Sequence, residues 1–289
     1  MTDTFETRKQ QVVSSLVETL DSERRDKSPK GFIDAPILDL IHIINRHQYY
    51  YTTSSCSGRV AVYCEGYQDD KSTTKGGIWL YVTHDPVVIP ERADNDWIVN
   101  LLFGSDRHVV FNNTLSPQDI MNKQMVYFKF EPLILHVEAA SQEACMKLNG
   151  LAFQAGYQNS GMTPSRTREM LAIRSTHKID TPIGYVDSEG DIQCLVDPTY
   201  LFLLLHMSNE KFTQNTERMK AFEVMMLKEV EGNEAKMAVE TKEERRERKR
   251  REGLAKAAAA AAAASNSNNI TTSNEENTVD VDLTDLNLE

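Results

Sequence analysis

Apolar residues fall at helical spacing twice before residue 46. Val12, Val13, Leu16, Val17 and Leu20 mark one helix, and Ile37, Ile41 and Ile44 mark a second, opened by Asp34 as cap with Pro36 in its first turn. From Tyr49 the pattern shifts to alternating β-branched and aromatic residues. It predicts strands at Tyr49 to Ser54, Arg59 to Cys64 and Ile78 to His84. A helix over Trp97 to Phe103 and an extended piece at His108 to Phe111 precede two strands, Met125 to Phe130 and Leu133 to Glu138. Ser141 then caps a helix bearing Ala144, Leu148, Leu151 and Ala155, and Gly156 sits where a terminating glycine belongs. Arg168 to Thr176 and Ile183 to Cys194 return to the strand pattern, the latter turning at Ser188 to Gly190. Asp197 and Pro198 open a long helix with Leu201, Leu204, Leu205, Phe212, Met219, Phe222 and Met226 as its stripe, expected to bend or break near Ser208 and Asn209.

These elements predict a mixed α/β (α+β) fold, a central mixed sheet of short strands flanked by helices, over residues 1–232. Beyond it, KEERRERKRRE and eight alanines predict a charged and Ala-rich helix over 233–264 with no buried face. Residues 265–289 are polar, acidic and poor in aromatics, as a disordered tail is.

Composition narrows the class. With 289 residues and 40% apolar content the chain can bury a sizeable core. No stretch of 18 apolar residues occurs and MTDTFETRKQ has no apolar run, so a soluble, cytoplasmic protein without membrane contact is expected. Cys56, Cys64, Cys145 and Cys194 lack C-x-x-C spacing, which disfavours a zinc site or a disulfide framework and leads to an expectation of reduced thiols and no metal. The formal charge is −11, of which the six acids of the last 25 residues supply −6 and leave −5 for the rest. A mildly acidic body can still bind RNA through one basic face.

Candidate chemistry sits in three places. In SSCSGR, Gly58 can adopt positive φ, and Ser54, Ser55, Ser57 and the Arg59 fork add donors, so a bend here can form an anion pocket or simply a polar turn. Cys56 beside Arg59 can be read as a nucleophile or as a packed thiol. In KGGIWLYVTHDP, Gly76 and Gly77 allow close backbone approach, Trp79 offers a flat ring, and His84 and Asp85 close the strand; a hairpin with a core tryptophan fits as well. His136 on LILHVE is either a titrating group or a hydrogen-bonded core histidine. G-x-G-x-x-G, the P-loop and H-E-x-x-H are absent, so the sheet is not that of a G-x-G-x-x-G Rossmann domain.

In order and spacing, TTSSCSGRVAVY, KGGIWLYVTHDP, FKFEPLILHVEA, AGYQNSG and AIRST closely resemble the wybutosine-synthesising tRNA methyltransferase family, over roughly Phe5 to Met226. The resemblance implies an S-adenosyl-L-methionine-dependent enzyme that methylates a ring nitrogen of a tricyclic guanine derivative next to the anticodon of tRNA-Phe. Carried over by position, it implies cofactor contacts at Ser54, Ser55, Ser57, Gly58, Arg59, Gly76, Gly77, Trp79, Ser160, Gly161 and Arg174, with Cys56 in the same motif and His84 or His136 as the base. The isolated chain is expected to be a monomer. Two rivals remain at this level: a non-catalytic module that presents modified tRNA to another enzyme, and a cysteine-dependent hydrolase built on Cys56.

Overall fold

Two long antiparallel strands organise the molecule, β1 (Tyr50–Cys64) and β4 (Gln124–Ala139), paired almost end to end from Tyr50↔Ala139 to Cys64↔Val126. The computed structural model describes residues 4–21, 33–66, 76–112, 123–163, 167–239 and 242–271. Around this ribbon lie β2 (Ile78–Thr83), β3 (Val109–Phe111), β5 (Gly161–Thr163), β6 (Glu169–Arg174), β7 (Ile179–Val186) and β8 (Ile192–Cys194). They complete a mixed eight-stranded sheet of order β2-β1-β4-β7-β8-β3, with β6 also on β4 and β5 on β6; among the described strands only β3 and β8 run parallel. The helices are α1 (Phe5–Asp21), α2 (Leu38–Arg46), α3 (Asn95–Phe103), α4 (Gln142–Gln154), α5 (Pro198–Val239) and α6 (Lys242–Thr271).

The expected bend at SSCSGR is not there. Ser54 to Arg59 lies within β1, because β4 runs alongside as a template on which Ser54 pairs with His136, Cys56 with Ile134 and Arg59 with Glu131. Strand pairing spreads the segment's N–H groups between the two edges of β1 in place of the single concave cluster of donors that a bend would make. Likewise the two expected strands Met125 to Phe130 and Leu133 to Glu138 are one strand. Pro132 is accommodated at the point where β4 exchanges one neighbour for another, Phe130 lying against Ile179 of β7 and Ile134 against Arg174 of β6.

The buried positions of β4 change parity across that proline, from Val126, Phe128 and Phe130 to Leu133, Leu135 and Val137. The ribbon thus buries opposite faces on either side of its middle, and two cores result. One gathers α2, α4 and the β5-β6 end; the other gathers α3, β2 and the β7-β8 end. α5 spans both, giving Leu201, Leu204, Leu205 and Phe212 to the second and Met219, Phe222 and Met226 to the first. It does not break at Ser208 and Asn209. The Ser208 hydroxyl donates back to the Leu205 carbonyl (2.7 Å), and the Asn209 amide leaves the helix to grip Val87 through both its N–H and C=O.

Asn215, further along α5, closes the crossing. Its Oδ1 accepts from the Leu133 N–H (2.9 Å) and its Nδ2 donates to the Ser57 carbonyl (2.7 Å), standing in for the one rung that β1 and β4 skip between Cys56↔Ile134 and Gly58↔Pro132. Gly58 is required beside it. Its φ is +125°, and a Cβ there would lie 3.2 Å from the Glu131 carbonyl oxygen and 3.3 Å from Asn215 Nδ2.

Ser141 caps α4 through Ala144 N (3.2 Å), and Gly156 follows its end at φ +95°. Asp34 behaves otherwise, making no side-chain cap on the short 3-10 turn Ala35–Ile37. The chain divides into two units, Met1–Glu231 and Gly232–Glu289. In the second, α6 runs to Thr271 and its side chains from Glu244 to Ala258 are almost all exposed; the rest of the expected tail lies outside the described residues. Among the described residues no helix is long and apolar enough to cross a membrane.

Candidate active site

β2 pairs with β1 only from Val60 onward, so the preceding ten residues of β1 have one edge without a strand partner among the described residues. Unpaired edge groups need other partners or a ligand. Side chains supply two: the Thr52 N–H donates to Asn45 Oδ1 (2.8 Å) and the Ser57 N–H to Asp34 Oδ2 (2.7 Å). Asp34 is buried, so its carboxylate is fixed against the motif. His84, immediately past the end of β2, reaches the same place; ligand atoms of Asp34, Cys56 and His84 all lie within 4.8 Å of one another. The segment after His84 is held by the Asn209 grip on Val87.

Two further clusters flank this edge, on the faces turned away from the cores. On one, the Arg59 guanidinium pairs with Glu131 and lies 4.8 Å from the Trp79 ring centroid, and Trp79 meets Tyr63 at 4.7 Å. Trp79 remains 46% exposed, which excludes the core tryptophan of the simpler reading. Gly77 lets the Tyr63 hydroxyl approach so closely that a Cβ would sit 1.8 Å from it. On the other face His136 Nδ1 is 2.8 Å from Ser54 Oγ and its Nε2 is 3.4 Å from Arg174 Nη2. Ser160 Oγ accepts from the Arg174 N–H (3.1 Å) and donates to the Tyr157 carbonyl (2.7 Å). Four strands supply this row: Ser54 from β1 opposite His136 on β4, which faces Ala172 on β6, which faces Gly161 on β5. Partial burial, and then the Arg174 charge, push the His136 pKa below the ordinary 6.5, leaving a neutral imidazole at pH 7.

An extended strand with hydroxyls, a guanidinium over an indole and a neutral histidine can bind a polar, flat ligand and accept a proton from it. Over residues 7–228 the chain matches the family described as Methyltransferase TYW3. It belongs to that family. The tRNA wybutosine-synthesizing protein 3 of Saccharomyces cerevisiae is 35% identical over 251 residues, 80% of this chain and 88% of that protein. The tRNA wybutosine-synthesizing protein 2/3/4 of Arabidopsis thaliana is 37% identical over 228 residues, 77% of this chain and 21% of that protein, so the chain spans about a fifth of that relative. The solved structure of the PH1069 protein from Pyrococcus horikoshii superposes with a TM-score of 0.57 at 26% identity, covering 78% of this chain and 96% of that one. The chain is thus a methyltransferase with a mixed α/β fold, which sets aside the non-catalytic module and the cysteine hydrolase.

Within that frame the motif residues separate. Ser54, His136, Ser160, Gly161 and Arg174 come together; Arg59, Gly77 and Trp79 form the second group; Cys56 and His84 form the third. Gly76, at φ +96°, is open, with nothing within 4 Å of where a Cβ would stand. Ser57 and Gly58 are buried at the crossing, and the Ser57 hydroxyl has no hydrogen-bond partner among the described residues. Ser55 pairs with Leu135, on the core-facing side of that half of the ribbon. Sequence reading missed Asp34, Asn45 and Asn215. Asp34 carried a signal, but the Asp-Ala-Pro pattern reads as a helix cap; nothing local marks the two asparagines, whose partners lie seven residues away and 82 and 158 residues away.

Proposed function

We propose that this chain transfers a methyl group from S-adenosyl-L-methionine to a ring nitrogen of the tricyclic wybutosine precursor beside the anticodon of tRNA-Phe, acting as a cytoplasmic monomer. The reading is carried by the family match across residues 7–228, joined by the yeast relative whose name places it in wybutosine synthesis. The residues present suit such a donor: a β1 edge with no strand partner before Val60 among the described residues, a buried Ser57 hydroxyl without a hydrogen-bond partner among them, and an exposed indole. When bound, the donor supplies an electrophilic methyl on a sulfonium and departs as a neutral thioether.

The protein's own task is then alignment and water exclusion, with a base for the ring-nitrogen proton. Ser54 and Arg59, reaching the β1 edge from its two faces, with the Ser57 hydroxyl between them, meet the donor's polar parts. Ser55 and Gly58 hold that edge by packing against β4 and Asn215, Gly76 leaves room for close approach, and Gly77 seats the Tyr63 hydroxyl so that Trp79 with Tyr63 presents a stacking surface. Ser160 fixes the Arg174 backbone, Gly161 continues that row, and Arg174 meets negative charge on donor or tRNA. His136 accepts the proton. Its neutral state and the Ser54 contact at Nδ1 prepare it for that role. His84 and Asp34 hold the motif's edge.

Incubation with methyl-labelled donor and tRNA from cells lacking this step tests the reaction: label in the tRNA is expected, and an unlabelled tRNA refutes it. Arg59→Ala tests the site separately. Calorimetry should show donor affinity falling at least about tenfold, in keeping with about 1.5–3 kcal/mol for hydrogen bonds to a charged group; unchanged affinity would remove Arg59 from the donor site.

A further inference from the structure

We propose that Asp34, Cys56 and His84 form a binding site for a thiophilic divalent cation of the Zn²⁺ type. They come from three segments: the residue before a 3-10 turn, the middle of β1 and the residue just past β2. Spacings of 22 and 28 residues give no zinc signature, which is why the cysteine pattern argued against a metal. Yet the fold brings one thiol sulfur, one imidazole nitrogen and one carboxylate oxygen within 4.8 Å of one another. In a tetrahedral zinc site, with metal–sulfur bonds of about 2.3 Å and metal–nitrogen or metal–oxygen bonds of about 2.0–2.2 Å, such atoms stand roughly 3.3–3.7 Å apart. Closing the difference takes side-chain motion of about an ångström, shared between Cys56 and His84, both half-buried.

The chemistry of the set is selective. A thiolate with an imidazole and a single carboxylate favours zinc or cobalt over magnesium and calcium, which call for mostly oxygen ligands. Three protein ligands leave a fourth position for water or an incoming atom, as in open zinc sites. The supporting hydrogen bond is already made: the Ser57 N–H donates to Asp34 Oδ2 at 2.7 Å and fixes the carboxylate's orientation, the part that outer hydrogen bonds play around metal ligands. The other cysteines are not competitors, since Cys64, Cys145 and Cys194 are buried in the cores.

The test is titration of chelator-treated full-length protein with Co²⁺, with neither donor nor tRNA present. One equivalent should bind with a near-ultraviolet thiolate-to-cobalt band, and Zn²⁺ should displace it while Mg²⁺ does not. Cys56→Ser and His84→Ala should each weaken binding by at least about 100-fold, beyond the roughly 10–100-fold typical of losing an outer partner. Cys56 is half-buried, so Cys56→Ser keeps the test sound even if Asp34→Asn unfolds. Absence of the band, or a band of equal affinity in Cys56→Ser, overturns the site. Because the signal needs no methyl transfer, failure here leaves the methyltransferase reading standing, and a failed methylation assay leaves the metal site standing.

Discussion

At the scale of single residues, the site depends on charges set against half-buried rings. His136 lies between the Ser54 hydroxyl and the Arg174 guanidinium, and its pKa is lowered first by burial and then by that positive charge. The sign of the consequence is fixed. A base works in its neutral form, so activity should fall as pH drops through the His136 pKa, at a midpoint below the ordinary 6.5. Arg174→Gln removes the neighbouring charge while keeping a donor, and the acid limb of the kcat profile should then move to higher pH. A lower kcat with an unmoved limb would reduce Arg174 to a structural role or discharge His136 as the base. Arg59 lies against Trp79 and Glu131 together, so its substitution also frees the indole from its cationic neighbour.

At the scale of elements, the β1–β4 ribbon and α5 meet through one asparagine. Asn215 replaces a missing rung of the ladder, so Asn215→Ala leaves the Leu133 N–H and the Ser57 carbonyl buried without partners. Each such group costs about 1–3 kcal/mol, and the expected loss is about 2–4 kcal/mol, read as a lower urea midpoint at unchanged m value. A loss below about 0.5 kcal/mol would mean that the two strands close the rung directly. This junction also explains what was legible beforehand. The Ser141 cap, the terminating Gly156 and the Asp197-Pro198 start are written in adjacent residues and appear in the structure where local chemistry puts them. Small polar residues are the usual content of turns, so SSCSGR reads locally as a bend. Its extended form is dictated by β4, some 80 residues away in sequence, and by Asn215 beyond it. The three-residue edge cluster was invisible for the same reason: only the placement of β2, which stops at Thr83, delivers His84 beside Cys56.

At the scale of the whole molecule, the core beneath the first half of the ribbon carries an acid-sensitive point. His47 is buried, stacks on Tyr50 at 4.4 Å, and accepts the Tyr49 N–H on Nδ1 (3.2 Å), which requires an unprotonated nitrogen. Desolvation lowers its pKa from 6.5 to about 4, against an opposing pull from Glu229. Between those values the unfolded chain binds a proton that the folded one refuses, so stability is intact above about 6.5 and declines toward pH 4. The decline should approach about 3 kcal/mol, and His47→Asn, which retains an acceptor, should flatten it in melts taken across that range. The opposite end of the chain contributes differently. The family match ends at residue 228, the first compact unit at Glu231, and the described side chains of α6 lie almost wholly in solvent. The residues proposed to bind donor and tRNA base all precede that boundary. Removing 232–289 takes away the basic KEERRERKRR run together with the acidic tail, so the net electrostatic change is modest. Methyl transfer should therefore persist within about twofold at low salt, where phosphate contacts weigh most. A loss of tenfold or more in kcat/KM with kcat preserved would show instead that the basic run helps to hold the tRNA.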